Sequence, residues 1–307
     1  MDINQLNKLK SENDKAKRYF TISIVLLAIL IFGLQLSSFS GGIRARLQNL
    51  GIYSFLGPIV GFCTIGACIA TFVTILAYQS KNRKYRKAYK EYFSKKVLET
   101  VLDEYTYSPD LGIDKQSLRD LECIRFGNSY KTEDLVTGMH KNVKMSQADL
   151  TISYEGKKDE PKEIYFKGRW TIADYPKKFE SKLIIVGRQL RQFVHCPSGF
   201  HKTEVESIEF NKRFTIYAKD GREMFYLLNP KIIEKMQQLA ENSSNYLVFI
   251  FNNQKLHIGI SAPNSFEPPR AKGDLDESVE IKRLSAETSL ITKLIDELDL
   301  DKKLFVA

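Results

Sequence analysis

The chain has 307 residues, 43% of them hydrophobic and 27% charged, a globular composition that excludes a wholly disordered protein. Its net charge of +9 suggests nucleic acid until it is mapped. The basic excess lies in residues 1–18, 39–51 and 79–96, and residues 97–307 sum to −2, which disfavours a polynucleotide partner.

In chain order, residues 1–18 read as a cytosolic tail with five basic residues, Lys8, Lys10, Lys15, Lys17 and Arg18. Tyr19–Ser38 carries no charge, and 20 residues rise about 30 Å as a helix, the thickness of a bilayer's hydrocarbon. Ile52–Tyr78 is also uncharged and about 40 Å long as a helix, so it tilts or begins in the interface, where Pro58 fits a first turn. Residues 19–80 thus form a transmembrane hairpin, with buried core helices, or a cleaved signal peptide over residues 1–40, as alternatives. The positive-inside bias puts both termini in the cytoplasm and Ser40–Leu50 outside. Membrane lipids are then the first partner. Gly57, Gly61 and the Gly66-Ala67-Cys68 run give the second helix a small-residue face suited to packing within the hairpin. Neither helix has an ionisable group for a proton or ion relay. With two of its four cysteines in these helices and no Cys-x-x-Cys pair, the chain fits a reduced compartment.

Residues 81–107 predict an amphipathic juxtamembrane helix, with Tyr85, Tyr89, Phe93, Val97, Val101 and Tyr105 at four-residue spacing. Lys81, Arg83, Lys84, Arg86 and Lys87 would lie at the anionic leaflet as stop-transfer charges. Residues 108–307 predict a cytosolic α+β domain with a mainly antiparallel sheet and packed helices. Its strands are expected at 121–126, 149–154, 163–173, 181–187, 206–218, 223–228, 246–252 and 255–261. Two hairpins are expected, one turning at Lys219-Asp220-Gly221 and one at Asn252-Asn253-Gln254. Asn229-Pro230 caps a helix with Ile232, Ile233, Met236 and Leu239 on one face; 285–298 is another, with Leu290, Ile291, Leu294, Ile295 and Leu298 inward. The intervening SFEPPRAKGDLDES reads as a surface loop, and Tyr130–Gly138 as a turn. Phe210, Phe214, Ile216, Phe225 and Leu227 are expected inside the sheet, Lys212 and Arg213 outside, and Trp170 in the core.

Several segments, Tyr107-Ser108-Pro109, Tyr130–Gly138, Phe166–Trp170, Val205–Tyr217, Tyr226–Pro230 and Ser265–Pro268, together resemble the bacterial DUF3137 family over residues 85–300. The resemblance implies two membrane helices before the domain, no assigned activity, cofactor or catalytic residue, and a membrane protein of the LemA type as a partner.

His195, Cys196 and His201 form the strongest chemical constellation, able to supply metal ligands or an imidazole beside a thiol. The paired spacing of a zinc site is missing, and Pro197-Ser198-Gly199 reads as a turn, so metal binding there is a weak candidate. Phosphate loops, nucleophile elbows and metalloprotease helices are absent, so no catalytic residue and no cofactor is assigned. The carboxylates Glu133 with Asp134 and Asp274 with Asp276 read as solvated. The expected role is a membrane-anchored cytosolic binding or scaffolding module rather than an enzyme. An enzyme acting on a membrane-associated substrate, through His195, Cys196 and His201, and a small-ligand sensor are the alternatives.

Overall fold

A computed structural model describes residues 1–39, 52–157, 160–175, 178, 180, 182–242, 246–271 and 273–297. The expected external loop 40–50 lies outside the described residues. So do the side chains of Gly57, Pro58, Leu290, Ile291 and Leu294, and residue Leu298. The chain divides into two compact units, Met1–Tyr92 with Pro268–Glu277, and Phe93–Glu267 with Ser278–Ala307.

The first unit is built on α1 (Ile3–Phe39) and α2 (Ile52–Val101). Both contain a window long and apolar enough to cross a membrane, at hydropathy 1.7 and 2.3, with neither window buried. Large apolar side chains such as Ile29, Phe32, Phe62 and Phe72 point outward, a surface that water would penalise and lipid would not. Hydroxyls within these segments are satisfied locally: Thr64 donates to the carbonyl of Val60 and Thr71 to that of Ala67. The two helices join through the Ser23 and Thr74 hydroxyls (2.8 Å) and a Phe20–Tyr78 ring stack with centroids 5.7 Å apart. The small-residue face is not this contact. A Cβ added at Gly61 or Gly66 would meet nothing within 4 Å. Hydroxyl pairing and ring stacking hold the hairpin instead. Near the start of α1, Lys10 donates to the carbonyl of Gly273 (2.5 Å), and Asn7 accepts from the N–H of Leu275 (2.9 Å).

Along the second half of α2, Tyr85, Tyr89, Phe93 and Val97 are buried, as their spacing predicts, while the i,i+4 pairs Lys87–Glu91 and Lys95–Glu99 lie at the surface. The helix stops at Val101, however, and Tyr105 lies in a strand, β1 (Glu104–Ser108).

The second unit is α+β around a nine-stranded antiparallel sheet of order β1-β2-β3-β4-β9-β8-β5-β7-β6. After β1 come a short helix α3 (Lys115–Arg119) and three long strands, β2 (Ser129–His140), β3 (Val143–Tyr154) and β4 (Glu163–Asp174). Then follow β5 (Leu183–Gly187), β6 (His201–Thr203), α4 (Ile208–Arg213), β7 (Phe214–Ala218), α5 (Gly221–Leu227) and α6 (Pro230–Asn242). The β8 (Leu247–Asn252) and β9 (Lys255–Ser261) hairpin and α7 (Glu277–Glu297) complete it.

The β8–β9 hairpin turns where expected, with Asn253 at φ 57. In α6 the side chain of Asn229 accepts from the N–H of Ile232 (3.0 Å), and Ile232, Met236 and Leu239 are buried. Other expectations are corrected. Residues 223–228 are not the second strand of a hairpin: 223–227 belong to α5, Leu228 follows it, and Phe225 is exposed. Residues 208–213 are α4, capped by the Ser207 hydroxyl accepting from the N–H of Phe210 (3.3 Å). Leu121–Phe126 is not a strand but turn and coil, with an isolated Ile124–Val194 bridge. Tyr130–Gly138 is most of β2 rather than a turn.

One sheet face carries Ala148, Leu150, Ile152, Phe166, Trp170, Ile184, Val186, Val248 and Ile250 in a single core with Leu118, Leu121, Cys123, Phe193 and Val194. Trp170 is fully buried at its centre, edge-on to Phe166 and Phe193. Its neighbour across the ladder must be glycine. A Cβ at Gly259 would come within 2.6 Å of the indole ring.

Candidate functional site

His195, Cys196 and His201 stand exposed around a turn in which Gly199 takes φ 78. The Cys196 thiol donates to the carbonyl of Phe200 (3.4 Å), and no group of three His, Cys, Asp or Glu side chains placed to hold a metal occurs among the described residues. His257 does not join them: it is buried beside Trp170, whose indole N–H lies 3.4 Å from its Nδ1. Burial, with Lys255 nearby, lowers its pKa to about 4, so the ring is neutral at pH 7. Cys123 is in the core, where burial pushes its thiol to about 12.

The segments that carry the family resemblance converge elsewhere. Tyr107, Asp134, Arg169 and Ser265, one from each of four of them, meet in a buried polar cluster on the sheet face opposite Trp170. The Tyr107 hydroxyl donates to Asp134 (2.5 Å). Ser265 donates both its backbone N–H and its hydroxyl to Asp149, the latter at 2.9 Å. Asp149 and Arg169 are cross-strand partners, and Arg169 donates to the carbonyl of Glu287 (2.6 Å) and to its carboxylate (3.0 Å) on α7. Arg283 binds that carboxylate again (3.1 Å) and Glu280 (2.9 Å). Glu287 is thus shared by two guanidinium groups, while Asp149 accepts from Ser265 beside Arg169 and Asp134 from Tyr107. Burial first, and Asp134 second, push the Asp149 carboxyl up to about 7 against the pull of Arg169 and Ser265. Burial, then Asp134, also push the Tyr107 hydroxyl well above its usual range.

Asp134 and the start of the expected surface loop are therefore not solvated. Asp134 is 1% exposed at a bulge in β2, at φ 61, while Ser265 and Phe266 are buried and Phe266 packs on Tyr107 with ring centroids 5.4 Å apart. The cluster accepts its hydrogen bonds from the protein itself, so its work is positional: it fixes the edge strand β1 and the 262–267 segment onto the sheet. Sequence reasoning passed over Asp149 and Arg169. They alternate with apolar residues, as solvent-facing strand residues also do, and it is Ser265 over Asp149 and α7 over Arg169 that bury them.

What the cluster positions is a trough on the other face. By ladder register Thr106, Thr137, Ser146 and Ile172 form one row and Glu104, Met139 and Lys144 the next, continuing the Trp170 face to the sheet's edge. These residues, with Asp174 and Lys255, line an open trough of about 430 Å³. Lys255 is ion-paired to Asp174 at one end. Gly138 lets β1 approach: a Cβ there would come within 2.5 Å of the Glu104 carbonyl. β1 ends the sheet order, so among the described strands it is hydrogen-bonded along one side only. The trough therefore offers mixed polar and apolar wall beside unpaired strand backbone.

No curated protein matches the chain. In three dimensions it is similar to the crystal structure of the mycobacterial trehalose monomycolate transport factor A, TtfA, at 7% identity over 68% of this chain and 93% of that one. The TM-score of 0.34 is too low for this likeness to carry an argument. Residues 164–300 match the family described as protein of unknown function, DUF3137, a span that holds Arg169, Ser265 and Glu287 but not Tyr107, Asp134 or Asp149. The resemblance to DUF3137 accordingly holds for the stretch from β4 into the end of the chain, the part that supplies the arginine, the serine and the α7 carboxylates of the cluster.

Proposed function

We propose that this chain is a bacterial inner-membrane protein with two spanning helices and both termini in the cytoplasm, whose α+β unit binds an extended segment of a protein partner along β1. One observation carries the reading: an edge strand with one side unpaired borders an open trough of about 430 Å³ on the same sheet. An added strand would gain main-chain hydrogen bonds from β1 and lay alternate side chains beside Glu104 and Thr106 at the rim of the trough. The opposite edge, β6, is only three residues long, too short to guide a partner's register. Two apolar windows and basic flanks support the membrane address and its orientation. A membrane protein of the LemA type is the partner class the family resemblance offers.

The test is photo-crosslinking in native membranes from a reactive residue placed at Thr106, with Lys202 on β6 as control. The reading expects one discrete adduct from position 106 and none from 202. Equal adducts from both positions, or none from 106, would refute it.

A further inference from the structure

The cytoplasmic end of the helical hairpin holds a second concavity, of different chemistry. Ala16 and Tyr19 on α1 and Thr74 and Ala77 on α2 line a groove of about 400 Å³, with Glu12, Lys15 and Lys81 at its polar end. The two alanines make room between the helices. The Thr74 hydroxyl is already engaged, with Ser23 at 2.8 Å and the Thr71 carbonyl at 2.9 Å, so this wall offers hydrocarbon rather than unmet hydrogen bonds. At the mouth, Lys81 donates to Glu12 (2.5 Å), and that bond, with the lysine's charge, holds the Glu12 carboxyl below its usual range. The pair cancels. Lys15 forms no ion pair among the described residues, although its charge also helps to lower the Glu12 carboxyl, so Lys15 and Lys81 against Glu12 leave the mouth one net positive charge above an apolar wall.

We propose that this groove binds one anionic glycerophospholipid, its phosphate on Lys15 and the upper part of an acyl chain along Ala16, Tyr19, Thr74 and Ala77. Charge complementarity selects the sign of the headgroup, and the apolar wall selects an amphiphile over a soluble phosphate ester, which would leave that wall wet. The proposal rests on the membrane reading above and extends it from a general anionic surface to one seat.

The test uses the full-length protein in lipid nanodiscs, with phosphatidylglycerol or phosphatidylcholine carrying a photoreactive group high on one acyl chain, and peptide mapping of the adducts. Phosphatidylglycerol is expected to label Ala16, Tyr19 and Ala77 above all other positions. Lys15→Gln should reduce that labelling about fivefold, the share of one lysine at an anionic surface. Ala77→Leu should fill the groove and abolish it, and millimolar inorganic phosphate should not compete. Equal labelling by phosphatidylcholine, even labelling along both helices, or loss on adding inorganic phosphate would each overturn the seat. Failure of the membrane reading looks different: neither lipid would label Ile29 or Phe72.

Discussion

Asp149 concentrates the energetics of the second unit at one carboxyl. It is 3% exposed, faces Asp134, Arg169 and Ser265, and has its pKa pushed from 3.8 to about 7. Between those values the folded chain holds a proton that the unfolded chain has released. This contribution to stability is therefore fully present below pH 3.8 and is lost as pH rises through about 7. The loss is on the order of 4 kcal/mol across the window. His257 acts with the opposite sign: its contribution is present above pH 6.5 and lost as pH falls through about 4. The two trends partly cancel in the whole protein, so the informative quantity is a difference. Asp149→Asn keeps one of the two oxygens that accept from Ser265 and removes the titration. The stability of the wild type minus that of Asp149→Asn should fall by about 4 kcal/mol between pH 4 and pH 8. Denaturant unfolding in detergent, followed by the fluorescence of Trp170, the sole tryptophan, measures it. A difference independent of pH would show that Asp149 is not held protonated.

At the level of elements, what was legible depended on whether the deciding interaction was local. The β8–β9 hairpin and α6 follow from residues next to one another: Asn253 accepts a positive φ, and Asn229 caps the helix that Pro230 begins. Replacing Asn229 with Ala should cost about 1 kcal/mol and lower the unfolding midpoint by that loss alone, since the packed face of Ile232, Met236 and Leu239 is untouched. An unchanged midpoint would mean that the cap is not formed in solution. Residues 221–228 misled for a local reason as well. Asp220-Gly221 suits a hairpin turn, but Gly221 lies outside the left-handed region and opens α5, where Met224, Leu227 and Leu228 are buried at helical spacing. The helix at 208–213 did leave a readable signal, with Ser207 as cap, Glu209 in the first turn and Lys212 and Arg213 in the last. β2 and the buried cluster left none. Whether Asp134, Asp149 and Arg169 face water or protein depends on α7 and on Ser265, more than a hundred residues away in the chain.

For the molecule as a whole, the two units answer to different solvents. The sheet unit buries Trp170, Phe166 and Phe193 in its own interior, whereas α1 and α2 turn Ile29, Phe32, Phe62 and Phe72 outward over the length that a bilayer would cover. Both proposed binding surfaces depend on that address. On the proposed reading, the groove at Lys15 takes its ligand from the leaflet. Alkaline carbonate extraction of native membranes puts the address to the test. The account predicts that the full-length protein stays in the membrane pellet and leaves it only with detergent. Recovery of intact protein in the carbonate supernatant would contradict it.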